Sequence, residues 1–146
     1  MHTMSIASNR KASFNYEILE KYSAGIELSG AEVKSVRAGK ISLVGAHISV
    51  RGGEAFLVGA DIQAYQGANQ PGYDPTRARR LLLSKQELAE LAKAEATKGL
   101  TVVPLSVYNK GRFLKADIAI ARGKKQFDKR EALKKRDTER DLNRSL

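Results

Sequence analysis

Residues 47–58 read HISVRGGEAFLV, and this stretch decides the fold. Ile48 and Val50 precede the glycine pair Gly52-Gly53, and Phe56 and Val58 follow it. Two short runs with apolar residues at alternate positions, joined by two residues that accept positive φ, spell a tight antiparallel hairpin. The pattern recurs downstream, where 101–108 and 113–121 read as strands on either side of Asn109-Lys110-Gly111-Arg112. Asn and Gly supply the backbone freedom that this turn needs. Upstream, Tyr16 to Leu28 reads as one strand pair or a bent strand, with Ile18, Tyr22, Ile26 and Leu28 as candidates for its buried side.

Helices are announced by their caps. Ser29 and Glu32 have the spacing of a capping box, in which each side chain satisfies a free amide of the first turn. A short helix is predicted from about Gly30 to Ala38, with Val33 and Val36 on one face, Lys34 and Arg37 on another, and Gly39 closing it. The strongest helix signal runs from Leu83 to Gly99: Ser84 as N-cap, Glu87 completing a second box, Leu83 and Leu88 as a hydrophobic staple, and Gly99 as C-cap. Its inner face is Leu88, Leu91 and Ala92. Between the two helices, Gln63 to Thr76 holds two glycines and two prolines with few aliphatics, so a long exposed loop is expected.

The count is about six strands, one long helix and one or two short ones. The class is mainly β with helices, and a small antiparallel barrel of the OB type, closed or partly open, accommodates it. The expected organisation is a flexible N-terminus over 1–8, a barrel over 9–121 and a basic tail over 122–146.

Charge separates the tail from the rest. The chain carries a formal charge of +10, and half of that excess lies from Arg122 onward, where ten Lys or Arg face five Asp or Glu. Large apolar side chains are few there, Phe127, Leu133 and Leu142 among them. Such a segment cannot offset its own ordering entropy and is expected to stay disordered until a polyanion orders it. Drawn as a helix, the tail places Lys129, Arg136, Arg140 and Arg144 within an arc of about 80°, with the acidic residues outside it. Glu131 and Lys135 form a favourable i,i+4 pair, too weak to hold a lone helix. Nucleic acid, and RNA above all, is the first partner this charge implies. An anionic membrane surface is the second, and no run approaches the roughly 18 apolar residues of a spanning helix.

Catalytic chemistry is poorly supplied. There is no cysteine, and the two histidines are His2, at the terminus, and His47, in an apolar strand, where a structural core or edge role is the default. No nucleophile-elbow, Walker or dinucleotide-binding pattern occurs, so no catalytic residue, metal or cofactor is expected. The N-terminus lacks a secretory apolar run, and a reducing cytoplasm is the expected location. The other basic clusters are Asn9-Arg10-Lys11, the pair Lys34 and Arg37, and Arg77, Arg79 and Arg80 before the apolar Leu81-Leu82-Leu83. In the last of these a rigid body is expected to hold the guanidinium groups for phosphate.

Five blocks in order resemble the SsrA-binding protein (SmpB) family: NRKASFNY at 9–16, SGAEVKSVRAGK at 29–40, GEAFLVGADI at 53–62, DPTRARRLLL at 74–83 and GKKQFDKR at 123–130. The resemblance implies an OB-type barrel that binds the tRNA-like domain of transfer-messenger RNA as a 1:1 complex. It also implies a tail that enters the ribosomal decoding centre and empty mRNA path and becomes helical there. By matched motif, the implied RNA face is Asn9, Arg10, Lys11, Tyr22, Glu32, Lys34, Arg37, Asp74, Thr76, Arg77, Arg79, Arg80, Leu82 and Ser84. The implied decoding-centre element is Gly123, Lys124, Lys125, Phe127, Asp128, Lys129 and Arg130, continued by Arg136, Arg140 and Arg144. Glu32 is left with two roles, helix cap and acceptor from a base edge. Three positions depart from the family pattern: Ser23 where Glu is usual, Ser84 where many members have Asn, and Phe127 where His or Tyr is usual. A basic ribosomal or ribosome-assembly protein is the alternative, and an RNA-processing enzyme comes third.

Overall fold

The computed structural model describes residues 3–65 and 70–124. In chain order these form β1 (Thr3–Ser8), α1 (Arg10–Asn15), β2 (Tyr16–Ile26), α2 (Gly30–Arg37), β3 (Ile41–Ser42), β4 (His47–Arg51), β5 (Glu54–Val58), β6 (Asp61–Ile62), β7 (Arg79–Leu82), α3 (Lys85–Ala96), β8 (Leu100–Lys110) and β9 (Phe113–Gly123). Seven strands make one antiparallel sheet in the order β1-β8-β9-β2-β7-β5-β4, and β3 pairs with β6 apart from it. The deciding hairpin forms as expected: Arg51 pairs with Glu54, and Gly52 and Gly53 take φ of +57° and +76°. In the β8–β9 hairpin the loop shortens to Gly111-Arg112, with Gly111 at φ +61° in the position where a two-residue turn requires it.

The sheet curls but does not close, because β1 and β4 remain its edges. Bulges in β1, in β2 between Ile18 and Glu20, and in β8 beside Pro104 increase the local twist. The curl brings β4 against β8, and α3 packs on both. Glu95 of α3 accepts a hydrogen bond from the Val50 amide of edge strand β4 at 2.8 Å, which occupies a group that a free edge would expose. Alternation sets the core. Leu114, Ala116 and Ile118 of β9 point inward with Ala24, Ala55, Leu57, Leu81 and Val107, and Val36 of α2 and Leu91 of α3 close the ends.

Both predicted helices carry their capping boxes, Ser29 with Glu32 and Ser84 with Glu87. Some expectations change. Residues 3–8, expected as a flexible arm, form β1 on β8, with Ile6 and Ala7 packed on the core. The main sheet has seven strands where about six were counted in all. The long helix ends at Thr97, whose hydroxyl bonds the Lys93 carbonyl at 2.7 Å, and Gly99 serves the turn into β8 instead. Ala92 is exposed, and Ala94 takes its inner position. Of the tail expected over 122–146 only Arg122, Gly123 and Lys124 are described, the first two as the end of β9. Lys125, Phe127, Asp128, Lys129, Arg130, Arg136, Arg140 and Arg144, and with them the expected disorder and basic stripe, lie outside the described residues.

Candidate RNA interface

Because side chains alternate across a pleated sheet, each inward row has an outward neighbour. One outward row runs across five strands, through the register Ser5–Tyr108–Lys115–Gly25–Leu82. Next to it, Ser23 lies opposite Asp117, and the Ser23 hydroxyl is 2.5 Å from the Tyr108 hydroxyl.

At the β2 end of this row a groove of about 510 Å3 opens between the sheet, α2 and the β8–β9 turn. Gly25, Ile26, Leu28 and Val33 line its apolar floor. Leu82 and Phe113, 49% and 69% exposed, also line it. Arg37, Arg112 and Lys115 add positive charge to the lining, and Arg37 Nη2 donates to the Arg112 carbonyl at 2.7 Å. Cations beside exposed apolar surface are the pairing that single-stranded nucleic acid uses, phosphate on one and base on the other.

A second cluster of arginines behaves differently. Glu32, at 1% exposure, accepts hydrogen bonds from Arg77, from Arg79 Nε at 3.0 Å and Nη2 at 2.6 Å, from the Tyr73 hydroxyl at 3.3 Å, and from the Ser29 amide that it caps at 3.0 Å. Arg79, at 0% exposure, also donates to the carbonyls of Ala60 and Pro75 and to Tyr73. Burial alone would raise the Glu32 carboxyl. The hydrogen bonds from Arg77, Ser29 and Arg79 outweigh it and hold the group down to about 2. The cluster ties α2, β7 and the end of the 63–78 loop into one unit.

A model of the SmpB protein family matches residues 6–146. The chain belongs to that family. The SsrA-binding protein of Leuconostoc mesenteroides subsp. mesenteroides is 50% identical over 139 residues, which cover 95% of this chain and 90% of the relative. That of Gloeobacter violaceus is 46% identical over 141 residues, covering 97% and 93%. A solved chain described as "tmRNA-SmpB: a journey to the center of the bacterial ribosome" superposes with a TM-score of 0.68 at 43% identity, over 86% of this chain and 92% of that one.

The positions that the SmpB resemblance marks as one RNA face are dispersed over the fold. Arg37 and Leu82 line the groove, and Ser84 follows just beyond β7 as the cap of α3. Asn9, Arg10 and Lys11 sit at the opposite end of β2, with Gly123 and Lys124: Asn9 Nδ2 donates to the Pro104 carbonyl at 3.0 Å, and the Lys124 amide donates to the Asn15 carbonyl at 2.9 Å. Glu32 and Arg79, both expected on the RNA face, are buried and engaged with each other. Arg77 keeps one side exposed while bonded to Glu32. Arg80 pairs with Glu27 at 3.0 Å and Glu54 at 2.8 Å on the surface.

Tyr22 packs against the core and donates its hydroxyl to Glu90 at 2.7 Å; burial, then Glu90, pushes its ionisation well above the usual phenol range. Asp74 closes its own turn by accepting from the Thr76 amide and hydroxyl at 3.0 and 3.1 Å. Lys34 lies 5.5 Å over the Tyr65 ring. His47 is exposed at the start of edge strand β4, and no group of three metal-ligating side chains occurs among the described residues. The residues that sequence reading missed are Arg112, Phe113 and Lys115. Their signal was an aromatic directly after a turn, read there only as the start of a strand.

Proposed function

We propose that this protein binds the tRNA-like domain of transfer-messenger RNA and delivers it to stalled ribosomes for trans-translation. It acts in the cytoplasm, without catalysis, as a monomer in a 1:1 complex with the RNA. The observation that carries this reading is the family match over residues 6–146, which includes the basic tail, joined to 43% identity with a chain from a tmRNA–SmpB structure. The outward row and its cationic groove supply a surface suited to folded RNA with unpaired loops. Residues 123–146 are the part that engages the decoding centre and mRNA path, where their charge is matched by ribosomal RNA. A basic ribosomal or assembly protein is the weaker reading, since the relatives carry the SsrA-binding name.

Sequencing the RNA that co-purifies with the protein from cells tests the partner, and one dominant tRNA-like species is expected. A spread of ribosomal fragments in its place would overturn the reading. Truncation after Arg122 is expected to leave affinity for that RNA nearly intact and to abolish peptide tagging on stalled ribosomes.

A further inference from the structure

We propose that the groove between Phe113 and Leu82 receives one unstacked nucleobase, with Phe113 as its stacking platform. This rests on the RNA-binding reading above and assigns it a ligand class at a defined place. Among the described residues, Leu19, Val44, Tyr65, Leu82 and Phe113 are the large apolar side chains left exposed, and two of these five face this one groove. Phe113 is the most exposed of them. A ring held in water at a hairpin tip gives up the hydrophobic stabilisation that an inward position would provide, and a partner that covers it recovers that term.

The groove owes its depth beside Leu82 to a missing side chain. A Cβ at Gly25 would meet Leu82 Cβ and Cδ1 at 3.4 Å, so any larger residue in this central strand would fill the floor. The hairpin tip is also held in advance. Arg37 reaches from α2 to the carbonyl of Arg112, next to Phe113, which lowers the ordering cost of presenting the ring. The other guanidinium N–H groups of Arg37, with Lys115 and Arg112, remain near the groove for the phosphates on either side of a base. Tyr22, the aromatic of the RNA face that the resemblance implies, packs on the core with its hydroxyl on Glu90. A base inside a duplex has no free face to offer, so the ligand is an unpaired loop nucleotide turned out of its stack.

The test uses the full chain and the tRNA-like domain of transfer-messenger RNA, with 2-aminopurine placed singly at each unpaired loop position, beside a fully paired hairpin of equal length. Wild-type protein is expected to change the fluorescence of one loop position. Phe113→Ala is expected to erase that change and weaken binding by about 5- to 150-fold, the range of one lost base stack, with the salt dependence unaltered. Phe113→Trp should retain both signals, and Leu82→Ala should weaken the same position less. Because Phe113 is exposed, the melting temperature of Phe113→Ala should match wild type. Unchanged affinity and fluorescence in Phe113→Ala would overturn the proposal, as would an equal loss on the paired hairpin; a groove that docks another protein would give the first of these. Failure of wild-type protein to prefer the tRNA-like RNA over other folded RNA at equal salt would instead refute the functional reading beneath it.

Discussion

Arg77, Arg79 and Arg80 stand within four residues of one another, as do Arg112 and Lys115, yet the fold puts the two groups to opposite use. The first group turns onto carboxylates of the same chain: Arg79 and Arg77 onto Glu32, Arg80 onto Glu27 and Glu54. The second lines a groove with Arg37, where the described contact is a single backbone carbonyl. A run of positive residues therefore does not identify the surface a polyanion meets. What matters is whether the same chain brings an acid within reach.

The comparison breaks most visibly at Glu32. Removing one partner of a buried ion pair leaves the other charge stranded, so Glu32→Ala is expected to destabilise the fold by about 3–5 kcal/mol in chemical denaturation. A loss below about 1 kcal/mol would mean that Arg79 finds water or another acceptor. Arg79→Lys should follow with a loss of about 2–4 kcal/mol, because an ammonium cannot reproduce the forked contacts to Glu32, Ala60, Pro75 and Tyr73.

Acid sharpens the same point. The folded-state value of Glu32, about 2, lies below its ordinary 4.5, so its contribution to stability is complete above about 4.5 and is lost as the pH falls toward 2. Thermal melts across that window should show a decline that Glu32→Gln flattens. On the groove side, Arg37→Ala should leave the melt alone, weaken RNA binding, and reduce the slope of log affinity against log salt by about one. The smallest effect is expected for Arg80→Ala: its pairs are exposed, so the melting temperature should stay at the wild-type value.

Local rules made much of this molecule readable. The two capping boxes and the Gly52-Gly53 turn depend on residues within three positions of one another, and all three form as the sequence implies. The barrel, closed or partly open, was legible as a class, while β1 was not, because Thr3 finds its partner at Lys110, far along the chain. Of the groove's lining, Arg37 and Leu82 were among the positions that the resemblance named. The burial of Arg79 was illegible, since strand alternation puts it on the inward side with Leu81 and only the tertiary position of Glu32 makes that tolerable. Phe113 and its cationic neighbours went unread because the groove exists only where a hairpin tip meets α2. Glu32 shows the limit well: its capping role could be read from Ser29, but its arginine partners come from 45 and 47 residues away.

The groove opens at the Gly25 end of β2, while Lys124, from which the basic extension departs, is fastened beside Asn15 at the other. Nine residue steps along the strand take Tyr16 to Gly25, roughly 30 Å of ladder. That spacing behaves as a strut, since interstrand hydrogen bonds do not stretch as a loose tether would. Anything gripped at one end would be carried at a fixed offset from whatever meets the other.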